Sequence, residues 1–253
     1  MKKLAVLKTG STYDHIQSRF GDFEDWFRSA LGPDLDIHVI HVAGGEDPGA
    51  PRDWDGIVIT GSPAMVSDRE EWSEATADWL LKAVRESVPV LGVCYGHQLL
   101  VHALGGVAGN RPQGRESGTF DVSLLPAGKE DPLFSGLPDR FPAHLTHRQS
   151  ALRLPEDAIR LAHSDNEPNQ AFRIGSCAWG VQFHPEFGPE IMTAYLRTQT
   201  PALKEEGQNP DALLANVRPA PAATSLLKRF GELVRLKARE NGTQGKSTAL
   251  QEP

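Results

Sequence analysis

Two cysteines in 253 residues, Cys94 and Cys177, are too few to staple a fold of this size, so a disulfide-dense secreted scaffold is excluded and a reducing, cytoplasmic compartment is expected. No apolar run approaches the roughly 18 residues needed to span a bilayer. Met1-Lys2-Lys3 leads directly into a short apolar stretch, without the apolar core of a signal peptide. Basic residues are also in deficit, with 26 Lys+Arg against 33 Asp+Glu for a formal net charge of −7. Binding to nucleic acid or to an anionic membrane is driven by cations that neutralise phosphate. Neither partner is expected, which leaves small molecules and proteins. At about 100–200 residues per domain the length suits one large domain or one domain with an appendage.

Short β-rich runs are present from the start: Leu4–Leu7, Ile37–Ile40, Ile57–Ile59 and Val90–Val93. Their near-continuous apolar character is that of parallel strands covered on both faces. Ile16, Phe20, Phe23, Phe27 and Leu31 share one helical face and predict a single helix that stops at Gly32-Pro33. Trp72, Ala75, Trp79, Ala83 and Val84 predict a second helix, and a third begins near Tyr95 and stops at Gly105-Gly106. Phe120–Leu125, Ile159–His163 and Cys177–Phe183 read as strands without long helices between them. The expected fold is α/β, an open, mostly parallel sheet flanked by helices with a small antiparallel annex and C-terminal helices. Residues 1–190 are expected to form the main domain, 191–239 a helical extension packed on it, and 240–253 a polar, disordered tail.

The chemistry concentrates at Gly92-Val93-Cys94-Tyr95-Gly96-His97-Gln98, where an apolar strand runs through Gly-x-Cys-x-Gly directly into a helix. This is the cysteine form of a nucleophile elbow. Small residues two before and two after the nucleophile let the backbone fold sharply, and the helix N-terminus favours thiolate over thiol. Taken alone, the motif also fits a buried structural cysteine. Two further segments favour chemistry. In Gln182-Phe183-His184-Pro185-Glu186, His184 can act as base and Glu186 can fix its tautomer. In Thr60-Gly61-Ser62-Pro63, Gly61 can turn a backbone N–H toward an oxyanion, with the N–H of Tyr95 as the second donor.

These paired motifs resemble the class I, or triad, glutamine amidotransferase family, as found in the glutaminase half of GMP synthase, over roughly residues 1–190. The resemblance implies a flavodoxin-like fold and a γ-glutamyl thioester formed on Cys94, with His184 as base, Glu186 as orienting carboxylate and Gly61 and Tyr95 as oxyanion donors. It implies substrate contacts from Gln98, from Ser62 and, in Arg115-Glu116-Ser117-Gly118, from Glu116. Glutamine or another γ-glutamyl small molecule is the expected substrate, ammonia passes to a separate acceptor or synthetase subunit, and no cofactor or metal is required. Two departures stand out. Gly61-Ser62-Pro63 replaces the frequent Gly-Gly-Pro, and the family's His-x-Asp appears as His147-Arg148-Gln149, without its acid.

No ATP-binding element is expected after residue 190, because the only suggestive string, Gly245-Lys246-Ser247, has Glu240 where a P-loop needs glycine. A γ-glutamyl peptidase of glutathione-like compounds is an alternative reading. A non-catalytic stress or binding protein that keeps the elbow cysteine is another. His97, His102, His144 and His147 lack ligand spacing for a metal. His144 and His147 are expected in a loop after Pro142.

Overall fold

A computed structural model describes residues 1–247. The elements are β1 (Lys2–Leu7), α1 (Asp14–Phe20), α2 (Phe23–Leu31), β2 (Leu35–Ile40), β3 (Gly56–Ile59), α3 (Glu71–Arg85), β4 (Val90–Val93), α4 (Tyr95–Ala103), β5 (Val107–Asn110) and β6 (Glu116–Leu124). They continue with α5 (Pro126–Glu130), β7 (Arg140–His147), β8 (Gln149–Arg153), β9 (Ile159–His163), β10 (Ala171–Ile174), β11 (Ala178–Val181), α6 (Pro189–Glu205), α7 (Pro210–Ala215) and α8 (Pro221–Ser247). One sheet runs in the order β2-β1-β3-β4-β11-β10-β9-β6-β7, and β5 pairs with β8 in a separate small antiparallel sheet. The pairings from β2 to β11 are parallel, and those from β11 to β7 are antiparallel.

Alternation along the strands divides the core between the two faces. Leu4 and Val6 of β1, Val58 of β3 and Leu91 and Val93 of β4 join a cluster with α2, α6 and α8. Ala5, Leu7, Ile57, Ile59 and Val90 join one with α3 and α4. Both faces of the parallel strands are therefore covered, which is why these strands are apolar throughout. Among the described residues no helix is long and apolar enough to cross a membrane.

Three expectations need correction. The helix from Ile16 to Leu31 is two helices, because Gly21 adopts φ 80° and Asp22 caps α2 in a capping box with Asp25. The apolar spacing continues across the break because both helices bury the same side. His144 and His147 lie on β7 and not in a loop, since Pro142 sits opposite Asp121 in an otherwise intact ladder with β6. Finally, α8 extends to Ser247, past the expected start of the tail at Glu240. Residues 248–253 of the tail lie outside the described residues.

The C-terminal helices share the main core. Leu226, Leu227, Phe230 and Val234 of α8 are fully buried, and Phe230 meets Trp179 of β11 edge-on at 6.4 Å. Replacing Phe230 by Ala is expected to cost about 3–5 kcal/mol, measured by denaturant unfolding. A loss under 1 kcal/mol would mean that α8 is an appendage to an independent core.

Candidate active site

The ends of three neighbouring strands, β3, β4 and β11, carry the expected site residues. Gly61 follows β3, Cys94 follows β4 and His184 follows β11, and β4 pairs with both of the others. Ligands of open α/β sheets sit outside the carboxyl ends of the strands, at the point where strand order reverses. Here the reversal lies between β1 and β3. The loops after these strands, Ser11–Tyr13 and Ser62–Met65, line a cavity of about 370 Å³ together with Cys94, Gln98 and His184.

The elbow is a tight packing problem. Cys94 has φ 50° and ψ −99°, a conformation that side chains rarely adopt. Its amide donates to Val181 O at 2.9 Å, which locks the turn to β11. A Cβ on Gly92 would lie 2.4 Å from Gly96 O, and one on Gly96 would lie 2.6 Å from Ile59 O. The turn closes only because both are glycine. The Cys94 Sγ is 3.9 Å from Thr146 O. Tyr95 opens α4, where first-turn amides have no partner within the helix. Its side chain is buried against Trp72 and bonded to Ser73 at 2.6 Å, and the residue lines the cavity.

His184 is 3 % exposed, and its Nδ1 is 2.7 Å from Glu186 Oε1. Its ring stacks on Phe187 at 4.2 Å, and its backbone N–H donates to His144 O at 2.8 Å. Nε2 is buried, and the Cys94 sulfur interacts with the ring. Burial opposes a charge on the ring, but the Glu186 carboxylate and the Cys94 sulfur outweigh it and hold the pKa at about 10. At neutral pH His184 is thus an imidazolium beside the sulfur, the kind of neighbour that favours a thiolate. Buried histidines with no carboxylate in hydrogen-bond contact go the other way. Burial pushes His97 down to about 3, and burial with the charge of His184 pushes His144 down to about 4. Gly61 packs against the imidazole, where an added Cβ would lie 2.9 Å from His184 Cε1.

The other expected contacts divide. Gln98 lines the cavity and donates to Gln149 O at 2.7 Å. Ser62 also lines it, but its hydroxyl donates to Thr9 O at 2.7 Å and accepts from Ala64 N, pinning the loop after β3 to the loop after β1. Glu116 is not among the residues that line the cavity. It is 4 % exposed and bonds His147 Nε2 at 3.0 Å, so it supports a wall residue from behind. Arg111 pairs with Glu116 at 3.6 Å and with Glu167 at 3.5 Å.

Several lining residues escaped the sequence reading. Behind the wall, Asp22 accepts from Lys8 Nζ at 2.8 Å and from the amides of the lining residues Thr12 and Phe23. Thr12 Oγ1 meets Tyr195 Oη at 2.6 Å, and Gln199 Nε2 donates to Thr146 Oγ1 at 2.9 Å. Tyr195 and Gln199 recur at helical spacing on α6, indistinguishable in sequence from a core stripe. Arg115 and Arg148 also line the cavity. Among the described residues no group of three or more His, Cys, Asp or Glu is arranged to hold a metal.

An open α/β sheet with a cysteine elbow and a neighbouring His–Glu pair at its strand ends defines a class of protein that comparison makes specific. Residues 36–200 match the family model for glutamine amidotransferase class-I, and the chain belongs to that family. It is 35% identical over 202 residues to the glutamine-hydrolysing GMP synthase of Thermosipho africanus, covering 78% of this chain and 36% of that protein. The chain therefore spans about a third of the length of that relative. It is 29% identical over 197 residues to γ-glutamyl peptidase 5 of Arabidopsis thaliana, covering 76% and 78% of the two chains. A glutamine amidotransferase from Thermotoga maritima has the same fold, with a TM-score of 0.70, 23% identity and 92% and 96% coverage.

Two measurements follow from the geometry. Relieving the turn at Cys94 with glycine is expected to make Cys94→Gly more stable than Cys94→Ala by about 1–3 kcal/mol in chemical denaturation; equal stabilities would mean an unstrained elbow. In Glu186→Gln the burial penalty on His184 loses its main counterweight. The ring pKa, followed by NMR, is then expected to fall by about 1–3 units, and an unchanged value would remove Glu186 as the source of the charge.

Proposed function

We propose that this chain hydrolyses γ-glutamyl amides through Cys94, His184 and Glu186. The observation that carries the reading is the meeting of a strained cysteine at the head of α4 with a buried His184–Glu186 pair on the adjacent strand end. The Cys94 thiolate adds to the γ-carbonyl carbon, and the negative charge moves from sulfur to the carbonyl oxygen. N–H groups of Gly61 and Tyr95 receive that oxyanion, each such donor being worth on the order of 3 kcal/mol. His184, already protonated at neutral pH, gives a proton to the amide nitrogen as the C–N bond breaks, leaving a γ-glutamyl thioester. Neutral His184 then takes a proton from water as its oxygen attacks. The C–S bond breaks, glutamate leaves and the thiolate returns. Glu186 keeps the ring oriented and charge-compensated throughout.

Glutamine is the smallest substrate of this kind, and its product ammonia would serve an acceptor enzyme on a separate chain, in keeping with the GMP synthase relative. A γ-glutamyl peptide is the second reading, favoured by the peptidase relative that matches over most of both lengths. A non-catalytic role is disfavoured, since it gives no reason to bury an ionised His–Glu pair beside the thiol, a costly arrangement without function.

Wild-type protein assayed with glutamine and with γ-glutamyl dipeptides should release glutamate from at least one, and Cys94→Ala should release none while keeping its fold by circular dichroism. Full turnover in Cys94→Ala would overturn the nucleophile assignment.

A further inference from the structure

The active-site cavity does not end at its own far wall. A second cavity of about 440 Å³ adjoins it and shares Met65, Arg115, Arg148 and Gln149 with it. Arg115 and Arg148 therefore stand on the common wall. Arg148 lies two residues beyond Thr146, whose carbonyl is 3.9 Å from the Cys94 sulfur, so the shared wall is within one amino-acid residue or two of the expected point of attack.

The charges on this wall are incompletely satisfied. Both guanidinium groups lean on one carboxylate, Glu206 at the end of α6, at 3.6 Å from Arg115 and 3.7 Å from Arg148. Those separations exceed direct hydrogen-bond length. Arg115 Nε is buried with no hydrogen-bond partner. The third guanidinium of the second cavity, Arg111, is already committed to Gly114 O and Asn166 O and paired with Glu116 and Glu167. The only other carboxylate lining that cavity is Asp68. Arg115 and Arg148 share Glu206 beyond direct hydrogen-bond length, so planar N–H donors on the wall between the two cavities stay available. That is the arrangement that recognises a second carboxylate.

Ammonia carries no carboxylate and needs no room. We propose that Arg115 and Arg148 form a leaving-group subsite, and that the preferred substrates are γ-glutamyl amino acids or short γ-glutamyl peptides whose leaving amine bears a free carboxylate. The inference rests on the γ-glutamyl hydrolase reading above and narrows its substrate class. The glutamyl part occupies the first cavity with its γ-carbonyl at Cys94, and the leaving amino acid extends past Thr146 to the guanidinium pair. Glu206 acts as the placeholder that the substrate carboxylate displaces.

The test compares γ-glutamylalanine with γ-glutamylalaninamide, which differ only in the leaving group's charge, with glutamine as reference. Wild type is expected to favour the acid over the amide in kcat/KM by about tenfold or more. Arg148→Ala should reduce that ratio toward one, mainly through KM for the acid, and Glu206→Gln should increase it. Comparable wild-type kcat/KM for acid and amide would overturn the proposal. So would an equal loss on both substrates in Arg148→Ala, which would place the arginine on the glutamyl α-carboxylate instead. Glutamine turnover with no cleavage of either dipeptide would reject the subsite and leave the hydrolase reading standing. If none of the three is cleaved, that reading falls and the inference falls with it.

Discussion

The site depends on one constraint, a backbone turn at Cys94 that the chain can make only where β4 meets α4. Its φ of 50° is unfavourable for a side-chain-bearing residue, and it persists because the surroundings leave no alternative. Gly92 lies against the Gly96 carbonyl, Gly96 lies against Ile59 O, and the Cys94 amide is held by Val181. The same three contacts fix the register of β3, β4 and β11 at their carboxyl ends. Holding the elbow therefore also sets where Gly61 and His184 emerge. The proposed nucleophile, hydrogen-bond donors and proton carrier are thus placed by one local packing solution.

Electrostatics then decides what that placement can do. A fully buried imidazole is ordinarily neutral, as His97 and His144 show in this same core. His184 is nearly as buried, yet its pKa is raised, because Glu186 sits 2.7 Å from Nδ1 and the Cys94 sulfur adds to its effect. In the proposed reaction, negative charge leaves sulfur for a substrate oxygen, so His184 would lose one stabilising neighbour and become a better acid at the moment a proton is needed. The opposite wall is rigid for a similar reason. Asp22 receives Lys8 and two amides at once, and a buried carboxylate so satisfied has little freedom to shift.

How much of this could be read from residues alone follows the range of the interactions involved. The elbow was legible because its requirements are local, two glycines at fixed offsets from a cysteine between a strand and a helix. His184 and Glu186 were legible for the same reason, being two residues apart on one strand end. The break between α1 and α2 was hidden because burial periodicity continued through Gly21, although Gly21-Asp22 and the acid at Asp25 carry a capping signal. Glu116 was assigned to the cavity from its place in the chain, yet it lies one layer behind and touches His147. Tyr195 and Gln199, some hundred residues from the elbow, could not be told from core residues. Their role depends on where α6 lands.

This division bears on specificity. In the proposed reaction the chemistry at the γ-carbonyl is carried by groups on three strand ends and is indifferent to what the amide nitrogen carries. What distinguishes one leaving group from another must lie past the scissile bond, along Thr146 to Gln149 and on the end of α6. Those residues join β7 to β8 and end a helix, positions where the main chain tolerates change without disturbing the sheet. Arg148 is more than half exposed and Glu206 about a quarter, so neither is held by the core, whereas Cys94 and His184 are. A fold built in this way can keep its acyl chemistry constant while its leaving-group wall varies, because the two are supported by different parts of the structure.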